Sequence, residues 1–247
     1  MKSHHSISVL IPVHNEEENL RRTFERAIEE LEQLTADWEI VVVESGSTDG
    51  SLKIIQEEAA RNDRIRYLHQ ERREGMGSAL RAGYALCRKS WICHLDADMP
   101  FDLPAITAAA AYFDDYDFVS GFRASSEDSE LMWRYSNESY IETVLRGTYH
   151  YGYRLFLSIL FGLYFNDINY SFKSLRRSMV EKLDLRCNGW FIDTELVLEL
   201  VKAKARIKVL PVKYRERDHG SSTVHILAPV PIMFDAIRYR LTRWRRF

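Results

Sequence analysis

Strand-length and helix-length patterns alternate along the first hundred residues. Segments typical of buried strands occupy residues 7–13, 39–44, 64–69 and 91–95. Between them, apolar residues recur every three or four positions, which predicts a helix after each of the first three strands. Because parallel strands require a crossover connection, this alternation predicts an α/β fold with a mostly parallel central sheet flanked by helices.

The later part of the chain continues the alternation less regularly. We expect a helix at 103–113, a strand at 117–121, a helical aromatic region at 131–165, a strand at 168–175, a helix ending near 201 and a strand at 207–214. Apolar residues at helical spacing, together with five arginines in the last ten residues, then predict a basic amphipathic C-terminal helix. We therefore divide the chain into a domain of residues 1–225 and a helix of residues 226–247.

The composition is that of an ordinary globular protein. With 247 residues, 46% of them hydrophobic and 28% charged, the chain can form one large α/β domain. A net charge of −2 argues against general binding of nucleic acid. The three cysteines, Cys87, Cys93 and Cys187, form no C-x-x-C pair and are expected to be reduced structural thiols in the cytoplasm.

Two features of the sequence concern membrane association. Residues 1–6 lack the layout of a signal peptide, and the longest apolar stretch, 155–165, is far shorter than the roughly 20 residues of a membrane-spanning helix. In the C-terminal helix, apolar residues at helical spacing are Val230, Met233, Ile237, Leu241 and Trp244. We expect a cytoplasmic protein that is peripheral at the cytosolic face of the membrane. The alternative is that this helix packs on the domain or binds another subunit.

Polar residues cluster where the predicted parallel strands end, at 14–16, 44–49 and 96–98. Ligands of open α/β sheets bind beyond the carboxyl ends of the strands, so these residues are expected to line one site. Asp96 and Asp98 are two residues apart on an extended chain and therefore face the same side. Their carboxylates suit Mg²⁺ or Mn²⁺ beside a phosphate, and the alternative is a strand end with solvated acids.

Seven segments carry a resemblance to a known family. They are, in order, PVHNE at 12–16, ESGSTDG at 44–50, GMGSALRAG at 75–83, DAD at 96–98, SGFR at 120–123, GWFIDTE at 189–195 and RDHGSS at 217–222. Across residues 7–223 the chain resembles the family-2 inverting glycosyltransferases of the GT-A (nucleotide-diphospho-sugar transferase) fold. Within that family it is most similar to the dolichyl-phosphate and polyprenyl-phosphate sugar synthases.

The resemblance implies an activity as well as a fold. It implies Mg²⁺- or Mn²⁺-dependent transfer of a hexose, mannose or glucose, from a GDP- or UDP-linked sugar to a polyprenyl phosphate at the membrane surface, with inversion. Two alternatives stay open. One is a glycosyltransferase that acts on a sugar hydroxyl or another non-phosphate acceptor, which needs a general base because the hydroxyl must lose a proton. The other is a non-catalytic nucleotide-sugar-binding partner protein.

The same resemblance assigns the residues of the site. The nucleotide sugar is expected to contact Pro12, His14, Asn15, Glu16, Glu44, Ser45, Asp49, Gly77, Asp96, Ala97 and Arg217. The metal is expected on Asp96 and Asp98, and the acceptor phosphate on Arg123 and Arg134, since a guanidinium fork matches phosphate oxygens. The expected catalytic residues are Asp98, Asp193 and Arg123.

Several of these residues have structural alternatives. Asn15 and Glu16 could cap a helix, and Asp49 could belong to a plain turn. Asp193 could cap the helix that follows it, or position the sugar or a loop if the acceptor is a phosphate. For Arg134 a surface salt bridge is equally compatible with the sequence.

The chain departs from the family pattern at three positions. Ser45 stands where the second of two paired acids is usual, Pro100 where a glutamine often follows the metal acids, and Thr223 where a lysine lies near the phosphates. His94 shares the face of Asp96, but a single histidine is more often a core residue than a ligand, so we do not assign it to the metal.

Overall fold

A seven-stranded sheet forms the centre of the computed structural model, which describes residues 2–98, 104–124, 140–164, 172–213 and 229–244. The strands in these ranges are β1 (Ile7–Val13), β2 (Trp38–Ser45), β3 (Ile65–Gln70), β4 (Trp91–His94), β5 (Phe118–Ala124), β6 (Lys173–Arg176) and β7 (Ile207–Lys213). Their order across the sheet is β3-β2-β1-β4-β6-β5-β7. The pairs β1–β2, β1–β4, β2–β3 and β5–β7 are parallel.

Strand β6 runs against its two neighbours. It pairs antiparallel with both β4 and β5, so Lys173 lies opposite His94 on one side and Ser120 on the other. The predicted mostly parallel sheet is therefore confirmed, with β6 as the strand of opposite direction. The periodicity of the sequence predicts that a strand exists there but carries no information about its direction.

Helices cover the sheet, as predicted. Those within the described ranges are α1 (Glu17–Leu34), α2 (Ser51–Arg61), α3 (Met76–Leu86), α4 (Pro104–Ala110), α5 (Tyr140–Phe161), α6 (Arg177–Val180), α7 (Ile192–Lys202) and α8 (Pro229–Thr242). The helix expected at 103–113 is shorter, and the short α6 was not predicted. Of the helical region expected at 131–165, residues 131–139 lie outside the described residues, as do residues 168–171 of the expected sixth strand.

The sheet separates two apolar cores. Every residue of β2 is buried, as expected for a continuous apolar strand covered on both faces. On one face Val9 packs in a cluster with Phe24 of α1, and on the other Leu10 packs with Leu80 of α3. Burial raises the pKa of the Cys87 and Cys93 thiols to about 12 in each case, which is typical of unreactive structural thiols.

A third apolar cluster joins the C-terminal helix to the domain. Ala236, Tyr239 and Trp244 are buried together with residues of α5 and α7, and the ring of Trp244 lies edge-on to Phe161 at 5.4 Å. One face of α8 thus packs on the domain, which was one of the two alternatives for this helix. Trp244, which we expected on the membrane-facing surface, belongs to that packed face. No helix in the described ranges is both long and apolar enough to cross a membrane.

Candidate active site

The carboxyl ends of β1, β2 and β4 open on one cleft, which residues from all three strand ends line. Seven of the predicted site residues line it: Pro12, His14, Glu16, Ser45, Asp96, Ala97 and Asp98. Six residues of the lining were not predicted: Val13, Arg73, Gly75, Met76, Ala79 and Trp190. The side chains expected at three different strand ends are therefore brought together as the sheet topology requires.

The loop after β1 is fastened to the loop after β2. The imidazole Nδ1 of His14 donates to the carbonyl oxygen of Ser45 at 2.8 Å. The side-chain oxygen of Asn15 accepts from the backbone N–H of Thr48 at 2.8 Å, and its own N–H donates to Ser47 at 3.0 Å. Asn15 has φ of 57°, a left-handed conformation that asparagine tolerates better than most residues. It joins the two loops and does not line the cleft.

Asp49 caps two helices. Its carboxylate accepts from the backbone N–H groups of Glu17, at 3.1 Å, and Ser51, at 3.0 Å, which are the first residues of α1 and α2. Burial raises the pKa of Asp49, but hydrogen bonds from Ser51 and Glu17 outweigh it and leave the pKa below its ordinary value. Glu16 precedes α1 without a side-chain cap and instead accepts from Asn19 at 2.8 Å. Asp49 thus has a structural role at the start of both helices. Its contact with the nucleotide stays a prediction.

The buried side chain of Glu44 supports the loop that follows β2. Its carboxylate is completely buried, accepts from the N–H of Ser47 at 2.5 Å and pairs with Nδ1 of His69. Ser45 is the residue of this pair that lines the cleft, and its hydroxyl donates to Gln70 at 2.8 Å. Ser45, which stands where the family usually has an acid, therefore lies in the cleft wall. A ligand there meets a hydroxyl group and not a carboxylate.

Asp96 and Asp98 lie two and four residues beyond the end of β4, and both line the cleft. Ala97 between them is buried, and its carbonyl accepts from the hydroxyl of Thr23 at 2.6 Å, which holds the turn against α1. Beneath them His94 is 2% exposed, with Nε2 3.2 Å from an oxygen of Asp96. The exclusion of His94 from the metal ligands stays a prediction.

The ligand set of this cleft fits a hard divalent cation that is shared with a substrate. Mg²⁺ is commonly held by one or two carboxylates while substrate phosphates and water complete the shell. Asp96 and Asp98 supply two such carboxylates. Among the described residues, the group spaced like a complete ligand set is His4, His5 and Asp114, which includes neither of them. Pro100 lies outside the described residues.

Two glycines lie where the start of α3 approaches residues 187–188, and one of them, Gly75, lines the cleft. At Gly75, where φ is 100°, an added Cβ would lie 2.3 Å from the carbonyl oxygen of Asn188, and at Gly77 it would lie 2.2 Å from that of Cys187. The N–H of Gly77 donates to the Asn188 carbonyl at 2.8 Å. Gly77 therefore supports the wall by letting α3 approach residues 187–188, and it does not itself line the cleft.

Replacing Gly77 with alanine is expected to destabilise the fold by about 1–3 kcal/mol, because the added methyl group overpacks against backbone. Nucleotide affinity should fall as well, since the wall would shift. Thermal unfolding and titration with UDP and GDP in the presence of Mn²⁺ measure both effects. Gly189→Ala is the control, because a Cβ there meets nothing within 4 Å. Equal behaviour of the two variants would contradict the expectation.

Asp193 lies in the first turn of α7 and is paired with a buried lysine. Its Oδ1 is 2.9 Å from Nζ of Lys173, whose side chain is completely buried in the sheet. Burial and then the charge of Asp193 raise the pKa of the nearby Tyr84 hydroxyl. Helix α7 has no side-chain cap, so the expected capping alternative for Asp193 is not what the structure contains. Its predicted catalytic role stays a prediction.

Of the three arginines predicted to bind phosphate, the structure describes the backbone of one. Arg123 lies in β5, in register with Val212, and its side chain is outside the described residues. Arg134 and Arg217 are outside them entirely. Among the described residues, a cationic side chain lines the cleft at Arg73, three residues after the end of β3 and two before Gly75. In the sequence, Arg73 could have been identified as a basic residue that closely follows a predicted parallel strand.

The strand order, with acids at the end of β4 facing a cleft on the carboxyl side of the parallel strands, is that of a GT-A fold. Glucosyl-3-phosphoglycerate synthase from Mycobacterium tuberculosis, in complex with Mn²⁺, uridine diphosphate and phosphoglyceric acid, superposes with a TM-score of 0.69 over 98% of this chain and 80% of that one. Its sequence identity is 16%, so the likeness establishes the fold alone. The predicted fold class is confirmed.

Residues 8–184 match the family model described as glycosyl transferase family 2. The chain belongs to this family, and the predicted enzyme class, an inverting glycosyltransferase, is confirmed. The undecaprenyl-phosphate 4-deoxy-4-formamido-L-arabinose transferase of Pseudomonas fluorescens (strain Pf0-1) is 29% identical over 238 residues, which are 94% of this chain and 64% of that protein. Glycosyltransferase AglD of Haloferax volcanii is 29% identical over 91% of this chain and 35% of its own length. The chain thus spans less than two thirds of these relatives.

Proposed function

We propose that this chain transfers a hexose from a nucleotide diphosphate sugar to a polyprenyl phosphate at a membrane surface, with inversion. The observation that carries the proposal is the cleft where Asp96 and Asp98 meet the walls formed after β1 and β2. Relatives of the chain are described as undecaprenyl-phosphate sugar transferases, which supports a lipid phosphate as acceptor. The superposed glucosyl-3-phosphoglycerate synthase structure contains uridine diphosphate, but GDP- and UDP-linked sugars both stay candidates for this chain.

The donor would lie with its nucleoside against Pro12, His14 and Ser45 and its diphosphate beside Asp96 and Asp98. A divalent cation held by these two acids supplies charge that offsets the negative charge developing on the departing nucleotide diphosphate. Arg73 adds a fixed positive charge to the same cleft. Arg217, by its resemblance, belongs to this group, while Arg123 and Arg134 are proposed for the acceptor phosphate.

The pairing of Asp193 with Lys173 favours a phosphate over a hydroxyl as acceptor. A hydroxyl must give its proton to a base, and a protonated Asp193 would leave the completely buried Lys173 ammonium without its 2.9 Å partner. Removing one partner of a buried ion pair typically costs roughly 3–5 kcal/mol. A phosphate oxygen is already anionic and attacks the anomeric carbon without a base. We propose that Asp193 positions α7 beside the cleft.

Transfer of radiolabelled sugar tests the proposal. The full chain is incubated with labelled GDP-mannose, GDP-glucose or UDP-glucose, polyprenyl phosphate and Mn²⁺, and the lipid fraction is counted. Labelled lipid that depends on Mn²⁺ is the expected result. Label that enters sugar acceptors and not the lipid would establish the hydroxyl-acceptor alternative. No turnover with any acceptor, with nucleotide affinity unchanged by metal, would favour the non-catalytic binding protein.

We also propose that α5 and α8 provide the membrane contact. The two helices pack together, yet each exposes large apolar residues in helical register: Tyr151, Leu155 and Ile159 on α5, and Val230, Phe234, Ile237 and Leu241 on α8. The exposed fraction reaches 76% for Ile159 and 80% for Leu241. The exposed Arg238 near the end of α8 suits an anionic bilayer, and a lipid-linked acceptor must be met at its surface.

Vesicle binding measures this contact. Phe234→Ser together with Leu241→Ser is expected to weaken sedimentation with phosphatidylglycerol-containing vesicles by about tenfold or more, since each side chain would lose apolar burial in the bilayer. Tyr67→Ser on β3 is the matched control, because Tyr67 is an exposed aromatic residue (41%) on the edge strand of the sheet. Unchanged sedimentation of the double variant would rule out α8 as the contact.

A further inference from the structure

The segment Asp184–Trp190, named here the support loop, underlies one wall of the cleft. The carbonyl oxygen of Asn188 accepts from the N–H groups of Gly77, at 2.8 Å, and Ser78, at 3.4 Å, at the start of α3. The Asn188 side chain also accepts from Arg81. At the end of the loop, Trp190 lines the cleft itself. A shift of the support loop would therefore move both α3 and a cleft residue.

Two buried acids of α7 hold the support loop. The carboxylate of Glu195, 2% exposed, accepts from the backbone N–H groups of Arg186 at 2.9 Å and Cys187 at 2.8 Å. That of Glu199, 4% exposed, accepts from the N–H of Asp184 at 3.3 Å. Both carboxylates therefore accept hydrogen bonds from the backbone of the support loop. Two like charges one helical turn apart also repel each other unless a cation lies between them.

Arg243, just after α8, supplies that cation. Its guanidinium pairs with Glu195, donates to Glu199 at 3.0 Å and lies 3.2 Å from a carboxylate oxygen of Asp184, whose backbone carbonyl it also contacts. Glu199 has further partners in Lys202, at 2.8 Å, and Tyr239, at 2.5 Å. The charge of Glu195 therefore depends more strongly on Arg243. A guanidinium fork can serve several oxygens at once, which an ammonium does less well.

We propose that Arg243 is a positioning residue for donor binding. It would act through Glu195 and the support loop on Gly77, which lies behind the cleft, and on the cleft residues Gly75 and Trp190. The inference rests on the proposed nucleotide-sugar site and extends it, because it makes the C-terminal helix part of the donor-binding apparatus. The residue touches neither the cleft nor a reacting atom. Arg243 holds the carboxylate of Glu195, and that carboxylate in turn holds the support loop.

If Arg243 only held α8 on the domain, its loss would lower stability without a specific effect on donor affinity. Arg240 provides a comparison that distinguishes this structural role from the proposed positioning role. Arg240 donates to the carbonyl oxygens of Leu160, at 2.9 Å, and Trp244, at 3.1 Å, so it seats α8 against α5 without touching the support loop. Arg240→Gln should loosen the helix and lower the melting temperature while the donor affinity remains that of the wild type.

The test compares the full-length wild type with Arg243→Gln, Arg243→Lys and Arg240→Gln. Thermal unfolding, the Kd of UDP and GDP with Mn²⁺, and kcat and KM for the donor are measured for each. Arg243→Gln should raise Kd and donor KM about tenfold with kcat at saturating donor nearly unchanged, the pattern of lost uniform binding. Arg243→Lys should recover part of the affinity, since it keeps the charge but not the fork.

Each possible outcome of this comparison supports or overturns the proposed role of Arg243. A selective rise in Kd for Arg243→Gln supports the inference, while equal Kd values for the Arg243 and Arg240 variants, high or low, overturn it. If Arg243→Gln does not fold, Glu195→Gln combined with Arg243→Gln removes both buried charges. A Kd in that folded variant equal to the wild type would again overturn the inference. A wild type that binds no nucleotide refutes the proposed function itself, and that failure is recognisable because it needs no variant.

Discussion

Alanine in place of Asp98 should lower the rate of sugar transfer by about a thousandfold. The carboxylate lies in the cleft beside Asp96, and its loss would remove half of the proposed protein ligands to the cation that stabilises the leaving diphosphate. Losing one preorganised group that stabilises developing charge typically costs about 10²–10³ in rate, and a displaced metal ion costs more. The initial rate of labelled sugar transfer at saturating donor and Mn²⁺ measures the effect.

Two measurements make the result for Asp98 specific. The melting temperature of Asp98→Ala should remain close to that of the wild type, because the side chain lies in the cleft and not in an apolar core. Asp63→Ala, which removes an exposed acid between α2 and β3, should transfer at the wild-type rate. Full activity of Asp98→Ala would remove the foundation of the proposed mechanism.

Removal of Asp193 alone should lower the free energy of unfolding by about 3–5 kcal/mol, since it leaves a buried charge on Lys173. Asp193→Asn tests this in urea, and Lys173→Met combined with Asp193→Asn should recover much of the loss because neither charge remains. Lys173 is completely buried and 2.9 Å from its partner, so the two substitutions are expected to be strongly non-additive. Additive effects would show that the two side chains do not act as a pair.

The same double variant distinguishes the acceptors. If the acceptor is a polyprenyl phosphate, the folded Lys173→Met/Asp193→Asn protein should keep at least about a tenth of the wild-type transfer rate. A general base, in contrast, typically contributes about 10²–10⁴ in rate. An Asp193→Asn protein that is as stable as the wild type but inactive would identify Asp193 as the base and favour a hydroxyl acceptor.

Much of the fold could be predicted from the sequence because it depends on local patterns. The strands β1 to β4 and the helices between them follow from apolar periodicity, and the cleft follows from the rule that ligands bind at the carboxyl ends of parallel strands. Asp96 and Asp98 lie in that cleft as the spacing predicts. Their role as metal ligands remains a prediction.

The remaining features depend on contacts between residues far apart in the chain. Lys173 follows a phenylalanine, and this apolar–polar alternation is typical of a strand whose polar residues face solvent. Strand β6 instead runs antiparallel between β4 and β5, and Lys173 is buried there and pairs with Asp193. Arg243 lies 48 positions from Glu195, and no local motif joins them. Glu44 supports its own loop and has His69 of the neighbouring strand as a partner, a contact that no local pattern predicts; its contact with the nucleotide stays a prediction.

Anomalous scattering from a crystal of the full chain grown with Mn²⁺ and a nucleoside diphosphate sugar tests the central proposition most directly. We expect a manganese peak within about 2.5 Å of carboxylate oxygens of Asp96 and Asp98, with the donor diphosphate completing its shell. A diphosphate bound elsewhere, or a manganese ion that contacts neither aspartate, would contradict the account.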